Sequence, residues 1–225
     1  MTEGFLDRYK RPADLPQQLP VFPLSGALLL PRAELPLNIF EPRYLEMIGA
    51  AMSSDRLIGM IQPEPGHEKD ERPPLVKVGC AGRITAYAET PDNRIVITLT
   101  GVSRFAAVEE LDTQSAYRQV VADFHPYAVD LVSNMGASEV NRSALLKAFR
   151  DYLNANDMKA DWEQVDAAAS TEVLVNTLSL LAPYPPNEKQ ALLEAPDLKT
   201  RADVLVALTE MALRRMVRGS KTQLQ

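Results

Sequence analysis

The sequence predicts an α+β fold, with a β-rich N-terminal lobe that contains one helix, followed by a C-terminal all-helical bundle lobe. Two patterns and the composition indicate this class. Residues 19–126 carry short β-branched runs between turn residues, whereas residues 138–219 carry apolar residues at helical spacing. Apolar residues make up 46% of the 225 residues, which is enough for a sizeable buried core.

These patterns divide the chain into three segments. Residues 1–17 are polar and without clear period, which predicts a flexible N-terminal arm. Residues 18–126 form the predicted β-rich lobe and residues 127–219 the predicted helical lobe. Short connections between the helices predict antiparallel packing in a small bundle. Together the two lobes are predicted to make one domain.

The strands of the first lobe are predicted from short apolar and β-branched runs. Residues 57–61 are an apolar run of strand length. Residues 83–100 are predicted to form a hairpin, because residues 90–93 supply turn chemistry. Residues 103–108 and 117–124 have strand length and composition. Prolines before this region confine any earlier strands to sheet edges or strand ends.

Capping residues and prolines predict where the helices begin. The helix of the first lobe starts at Pro42, since the missing N–H of proline costs nothing at a first helical position. Phe40 and Leu45 occupy the two positions of a hydrophobic staple there. In the second lobe the predicted helix starts are Ser138, Ser170, the capping-box pair Asn187 and Gln190, and Asp197 or Thr200.

Signatures of catalysis and cofactor binding are missing from the sequence. None of the ten glycines precedes a lysine, so there is no Walker A loop, and neither dinucleotide-binding nor nucleophile-elbow motifs occur. The two histidines, His67 and His125, lack metal-ligand spacing. We therefore predict that the chain is not an enzyme and that it has no catalytic residues, no metal and no cofactor.

Charge and hydropathy narrow the classes of partner. A net charge of −6 counts against nucleic acid as a partner. No stretch approaches the ~18 apolar residues of a membrane span, and the N-terminus does not resemble a secretory signal. The single cysteine, Cys80, is predicted to be a buried and inert thiol. The sequence therefore predicts a cytoplasmic protein with no membrane partner, and it indicates no oligomeric state.

Two motifs resemble the N-terminal domain of Lon proteases. Residues 19–24, Leu-Pro-Val-Phe-Pro-Leu, are similar to the opening motif of that family. The segment Phe40-Glu41-Pro42-Arg43-Tyr44, within residues 36–44, is similar to the next motif. Shorter similar blocks follow in the same order at residues 58–60, 78–81, 101–105, 188–194 and 201–205.

The resemblance implies a fold and a function. It implies that the β-rich lobe is a PUA-like pseudo-barrel, and that the whole chain is a substrate-recognition domain. In the full-length family an ATPase domain and a Ser/Lys protease domain follow, and we expect neither in these 225 residues. The residues Phe40 to Tyr44 are predicted to be structural, with Arg43 expected to pair with a carboxylate across the lobe interface.

Binding to unfolded protein requires exposed apolar surface. The candidate protein-binding surface is Leu28, Leu29, Leu30 and Pro31, which would face solvent in part if this segment is a loop. The alternative for the segment is a buried strand. The predicted partners are unfolded or damaged protein segments, or a protease or chaperone that acts with the chain.

Two other functions stay open at this point. A cryptic hydrolase would assemble its triad across the fold, around Ser103 or His125. RNA binding through the PUA-like lobe is the lesser alternative, and the acidic net charge argues against it.

Overall fold

The computed structural model describes residues 3–67, 70–155 and 170–222 and confirms the mixed α+β class. No helix within these ranges is both long and apolar enough to cross a membrane. The strands are β1 (Gln18–Pro23), β2 (Glu34–Ile39), β3 (Leu57–Ile61), β4 (Val78–Glu89), β5 (Ile95–Leu111) and β6 (Arg118–Asp123). The helices are α1 (Glu3–Leu6), α2 (Pro42–Met52), α3 (Arg142–Ala155), α4 (Thr171–Leu181), α5 (Pro186–Glu194) and α6 (Leu198–Thr222). Short 3-10 helices are at Pro12–Asp14, His125–Leu131 and Ala137–Glu139.

Five of the six described strands close into a ring. The ring runs β5-β4-β3-β1-β6, and β6 returns to pair with the second half of β5. The first half of β5 also pairs with β2, which therefore extends the sheet outside the ring. Register shifts between Ala81 and Gly82 and between Ala107 and Glu109 mark bulges, which supply the curvature that closure needs.

Two apolar clusters fill the molecule, and β3 lies between them. Leu57 and Ile61 belong to the cluster that contains Phe105 of β5, whereas Ile58 and Met60 belong to the cluster shared with the helices. Alternate side chains of a strand point to opposite faces, so β3 is buried on both faces and its residues are all apolar or glycine. The second cluster extends to Leu145, Leu174 and Leu192 in α3, α4 and α5.

Strand β1 departs from the prediction that early prolines confine strands to sheet edges or ends. β1 lies between β3 and β6 although it contains Pro20. The two neighbours pair with different halves of β1, because β6 pairs with residues 18–21 and β3 with residues 21–23. Pro20 therefore has no ladder partner on the β3 side, and its missing N–H costs no hydrogen bond there.

Tyr9 and Leu15 anchor the described part of the N-terminal arm, residues 3–17, which departs from the expectation of a flexible arm at residues 1–17. Tyr9 and Leu15 are buried in the same cluster as Phe105. The phenol oxygen of Tyr9 also accepts a hydrogen bond from Arg83 of β4 at 3.1 Å. The arm is mostly polar, so its composition did not indicate that Tyr9 and Leu15 would be buried.

The segment Leu28–Pro31 is buried, which overturns its prediction as an exposed binding surface. Leu28, Leu29 and Leu30 expose 3%, 1% and 0% of their surface, and Pro31 is buried as well. The segment is neither an exposed loop nor a strand, but a buried loop. Such a loop is tolerated where its backbone polar groups find partners. The carbonyl of Pro31 accepts a hydrogen bond from Asn176 of α4 at 2.8 Å.

The helix starts agree with the predicted caps in two of four cases. Ser170 accepts a hydrogen bond from the Val173 N–H, and Asp197 accepts one from the Thr200 N–H. The prediction for Ser138 is wrong, because α3 begins after Asn141, whose side chain accepts from the Ala144 N–H. The predicted capping box at Asn187 is also wrong, since α5 begins at Pro186 without a side-chain cap.

Cys80 of β4 is fully buried, and burial raises the pKa of its thiol well above the ordinary value. A thiol that stays protonated is a poor nucleophile. We expect a thiol reagent such as DTNB not to label the native protein at pH 8, and to label one thiol per chain in guanidinium chloride. Rapid labelling of the native protein would show that the strands around Cys80 open readily.

Candidate functional site

Two adjoining cavities form a groove between the strands and the helices, which we call the strand–helix groove. The smaller has a volume of about 160 Å³, and we call it the Arg201 cavity. The larger has a volume of about 1010 Å³, and we call it the arm cavity because the N-terminal arm forms one wall. Val132 and Glu172 line both cavities, so the two lie side by side.

The groove carries a group of exposed apolar side chains. Val129, Val132 and Met135 line the Arg201 cavity, and Val173 lines the arm cavity. Their exposed fractions run from 36% for Val173 to 50% for Met135. Single exposed apolar residues are common on proteins, but several on one concave surface are typical of a binding site.

A buried ion pair forms the floor of the Arg201 cavity. Arg104 of β5 is 1% exposed and donates from Nε and Nη2 to the two carboxylate oxygens of Asp130, each at 2.8 Å. Its Nη1 also donates to the carbonyl of Leu193, at the end of α5, at 3.1 Å. Burial opposes the charge of Arg104, but pairing with Asp130 raises its pKa above the ordinary value. Arg104 thus connects the ring of strands to the helices.

A second buried arginine, Arg201 of α6, lies beside the first. It is 3% exposed, and it donates from Nε to the carbonyl of Leu192 at 3.0 Å and from Nη1 to Asn176 at 3.1 Å. Its Nη2 has no hydrogen-bond partner within the described residues. Burial, with the nearby charge of Arg104, lowers the pKa of Arg201 to about 10. The guanidinium therefore remains charged at neutral pH.

An ion pair between Arg32 and Glu172 holds the loop between the two cavities. Nη1 of Arg32 lies 2.6 Å from the Glu172 carboxylate, and both side chains are largely buried. Glu172 also accepts from the Asn134 N–H at 2.7 Å, and Arg32 donates to the Asp130 carbonyl at 2.9 Å. These contacts fix the loop that carries Val132.

The sequence did not predict roles for Arg32, Arg104 and Arg201. Arg104 and Arg201 lie in two of the similar blocks, and Arg104 is the only charged residue in its block, residues 101–105. That position was the available signal, since a fully buried arginine requires partners. The partners themselves come from distant parts of the chain, so the sequence did not indicate them.

The segment Phe40–Tyr44 lies away from the groove, at the start of α2. Glu41 is at the N-cap position, and Pro42 is the first helical residue as predicted. Phe40 remains 61% exposed, with Arg94 over its ring at 5.8 Å. Phe40 therefore does not provide a buried staple for the helix.

The rest of this segment is held locally. Tyr44 is buried, and its ring centre lies 4.1 Å from that of Phe22 in β1. Arg43 pairs with Glu41 at 2.8 Å and lies over the Tyr44 ring. The expected pairing of Arg43 across the interface between strands and helices is wrong, since Arg32 and Arg104 make those contacts.

Neither Ser103 nor His125, the alternative centres of a cryptic triad, has both other members of a triad as hydrogen-bond partners within the described residues. The Ser103 hydroxyl is buried and donates to the neighbouring Arg104 carbonyl at 3.0 Å. His125 is exposed and its Nδ1 lies 2.8 Å from Asp123. Within the described ranges there is no hydrogen bond between Ser103 and His125, and no cluster of three or more potential metal ligands.

A family model for the substrate-binding domain of ATP-dependent protease La (LON) matches residues 18–210. The chain belongs to this family. Among curated relatives, Lon protease of Desulfosudis oleivorans is 25% identical over 219 residues, which cover 94% of this chain and 26% of that protein. Lon protease 2 of Myxococcus xanthus is 26% identical, over 87% of this chain and 24% of that protein. The chain thus spans about a quarter of the length of these relatives.

Solved structures share the fold of this LON substrate-binding domain. A Lon N-terminal domain protein from Xanthomonas campestris has a TM-score of 0.58 at 21% identity, and covers 84% of this chain and 97% of its own. The N-terminal domain of Lon protease from Mycobacterium avium complex has a TM-score of 0.61 at 18% identity, and covers 86% of this chain and 98% of its own.

Proposed function

We propose that this LON substrate-binding domain is a non-catalytic module that binds unfolded or damaged protein segments in the strand–helix groove. One observation carries the proposal: Val129, Val132, Met135 and Val173 are exposed together on the walls of two neighbouring cavities. Transfer of apolar surface from water stabilises a complex by roughly 25 cal/mol per Å² buried. A folded protein hides most of its apolar side chains, so such a groove favours unfolded chains.

The rigid floor of the groove supports the same function. Arg104 and Asp130 line the Arg201 cavity together with the apolar side chains, and buried hydrogen bonds connect them to the end of α5. A surface that is already ordered loses little conformational entropy when a ligand binds. The groove can therefore retain the apolar part of a segment with little loss of conformational entropy.

The family supports a role beside a protease. The matching model describes substrate binding, and the curated relatives are named Lon proteases. We propose that the bound segments are delivered to a protease or chaperone partner in the cytoplasm, and that nucleic acid is not a partner. We further propose that residues 18–126 are a PUA-like pseudo-barrel lobe and residues 127–219 a helical lobe, which the closed ring of strands supports.

Replacing Val132 with aspartate should weaken binding of a fluorescently labelled, denatured protein by about tenfold or more, because a charge then lies between the two cavities. Fluorescence anisotropy measures the Kd. Val108→Asp is the matched control, since Val108 is 65% exposed on β5 and lines neither cavity. Equal binding by the two variants, or no saturable binding by the unmodified chain, would overturn the proposal.

A further inference from the structure

The Arg201 cavity is lined by a buried cation, Arg201, that makes no ion pair within the described residues, although the carboxylates of Asp130 and Glu172 lie near enough to favour its charge. Arg201 lines the cavity, and its Nη2 lacks a hydrogen-bond partner among the described residues. The two partners of its other nitrogens, the Leu192 carbonyl and the Asn176 amide, are both neutral. A buried charge is costly unless it is paired, so an unpaired guanidinium beside a cavity points to an acceptor from outside the chain.

The other charged groups that line this cavity do not supply the missing acceptor. Asp197 accepts the Thr200 N–H at the start of α6, and Glu139 is exposed, where water screens its charge. Three further groups are already paired: Asp130 with Arg104, Glu172 with Arg32, and Lys199 with Asp203.

The start of α6 adds to the preference for an anion. Its first residues, Leu198 and Lys199, line the cavity. The N-terminus of a helix carries a partial positive charge, which favours a negative group placed nearby. The helix end and the guanidinium of Arg201 therefore act in the same direction.

We infer that the Arg201 cavity accepts a carboxylate, and that in a bound protein segment this carboxylate is the C-terminus of the chain. The inference rests on the proposed function. The volume of about 160 Å³ suits a carboxylate with a small apolar group, and Val129, Val132 and Met135 suit an apolar last residue. Nη2 exposes less than 1 Å², so the inference requires the wall of this small cavity to move before the carboxylate can reach that nitrogen.

Three synthetic peptides with one apolar sequence test this inference on the unmodified protein. The first ends in a free carboxylate, the second in an amide, and the third in an amide with glutamate as its last residue. We expect the free acid to bind about tenfold more tightly than the plain amide, because hydrogen bonds to a charged acceptor are stronger than those to a neutral one. Acetate should compete with the free acid and not with the amide.

Each outcome has a distinct meaning. Equal Kd values for the free acid and the plain amide overturn the carboxylate site but leave the proposed function intact. Equal binding of the free acid and the glutamate amide overturns the assignment to the chain end. No binding by any of the three overturns the proposed function together with the inference.

A variant gives a second readout. Arg201→Gln removes the charge and should abolish the preference for the free acid, while the amide still binds. Arg214→Gln is the control, because Arg214 is an exposed residue of the same helix and does not line the cavity. A preference that survives in Arg201→Gln overturns the inference, and if that variant does not fold, the peptide series on the unmodified chain decides.

Discussion

Replacing Arg104 with methionine is expected to lower the free energy of unfolding by about 3–5 kcal/mol, because it leaves Asp130 as a buried, unpaired charge. The end of α5 also loses the donors that bind its carbonyls. For a chain of this length the change corresponds to a fall in Tm of about 6–20 °C. Chemical denaturation followed by circular dichroism measures it.

Arg214→Met is the matched control for Arg104→Met. Arg214 also pairs with a carboxylate, Glu210, but on the surface, where such a pair contributes at most about 1 kcal/mol. In the double variant Arg104→Met with Asp130→Leu, the uncompensated charge is gone, so we expect part of the lost stability to return. A cost below about 1 kcal/mol for Arg104→Met would contradict the role of this ion pair.

Replacing Gly101 with alanine is expected to cost about 3 kcal/mol or more, or to prevent folding. A Cβ atom at this position would lie 2.0 Å from the carbonyl oxygen of Leu30, which belongs to the backbone and cannot turn away. Two hydrogen bonds hold the backbones together here, since the Gly101 N–H donates to Ala33 and the Arg32 N–H donates to Gly101. The buried loop at Leu28–Pro31 therefore comes closest to β5 at Gly101.

Gly49→Ala is the matched control for Gly101→Ala. Gly49 lies inside α2, and a Cβ added there meets nothing within 4 Å. Alanine in a helix interior is favoured over glycine by roughly 0.5–1 kcal/mol, so this variant should be slightly more stable. A Gly101→Ala variant as stable as Gly49→Ala would mean that the loop does not pack against β5 as described.

Elements with a strong local pattern were predictable from the sequence. The apolar run at 57–61 is β3, and the hairpin predicted at 83–100 lies within the longer pairing of β4 and β5, which runs from residue 78 to residue 106. Pro42 marks the start of α2, and Ser170 caps α4. In each case neighbouring residues contain the information, because side-chain alternation, proline geometry and capping act over a few residues.

Neither the burial of the segment Leu28–Pro31 nor the position of the strand–helix groove was predictable in the same way. Leu28, Leu29 and Leu30 form a short apolar run between prolines, which suits an exposed loop or a strand equally well. Their burial is decided by α4 and by β5, both far along the chain. Val129, Val132 and Met135 of the groove are spaced three residues apart, but that spacing does not tell whether the side chains face the core or the solvent.

The amino-acid sequence alone was sufficient for the α+β class, most strand and helix positions, and the family. The folded molecule alone decided which apolar residues face solvent, and which arginines meet across the groove. Arg104 lies 26 residues from Asp130 and 89 residues from Leu193 along the chain. Backbone preferences act over a few residues along the chain. Burial and ion pairing depend instead on which distant segments the ring of strands and the helices bring together.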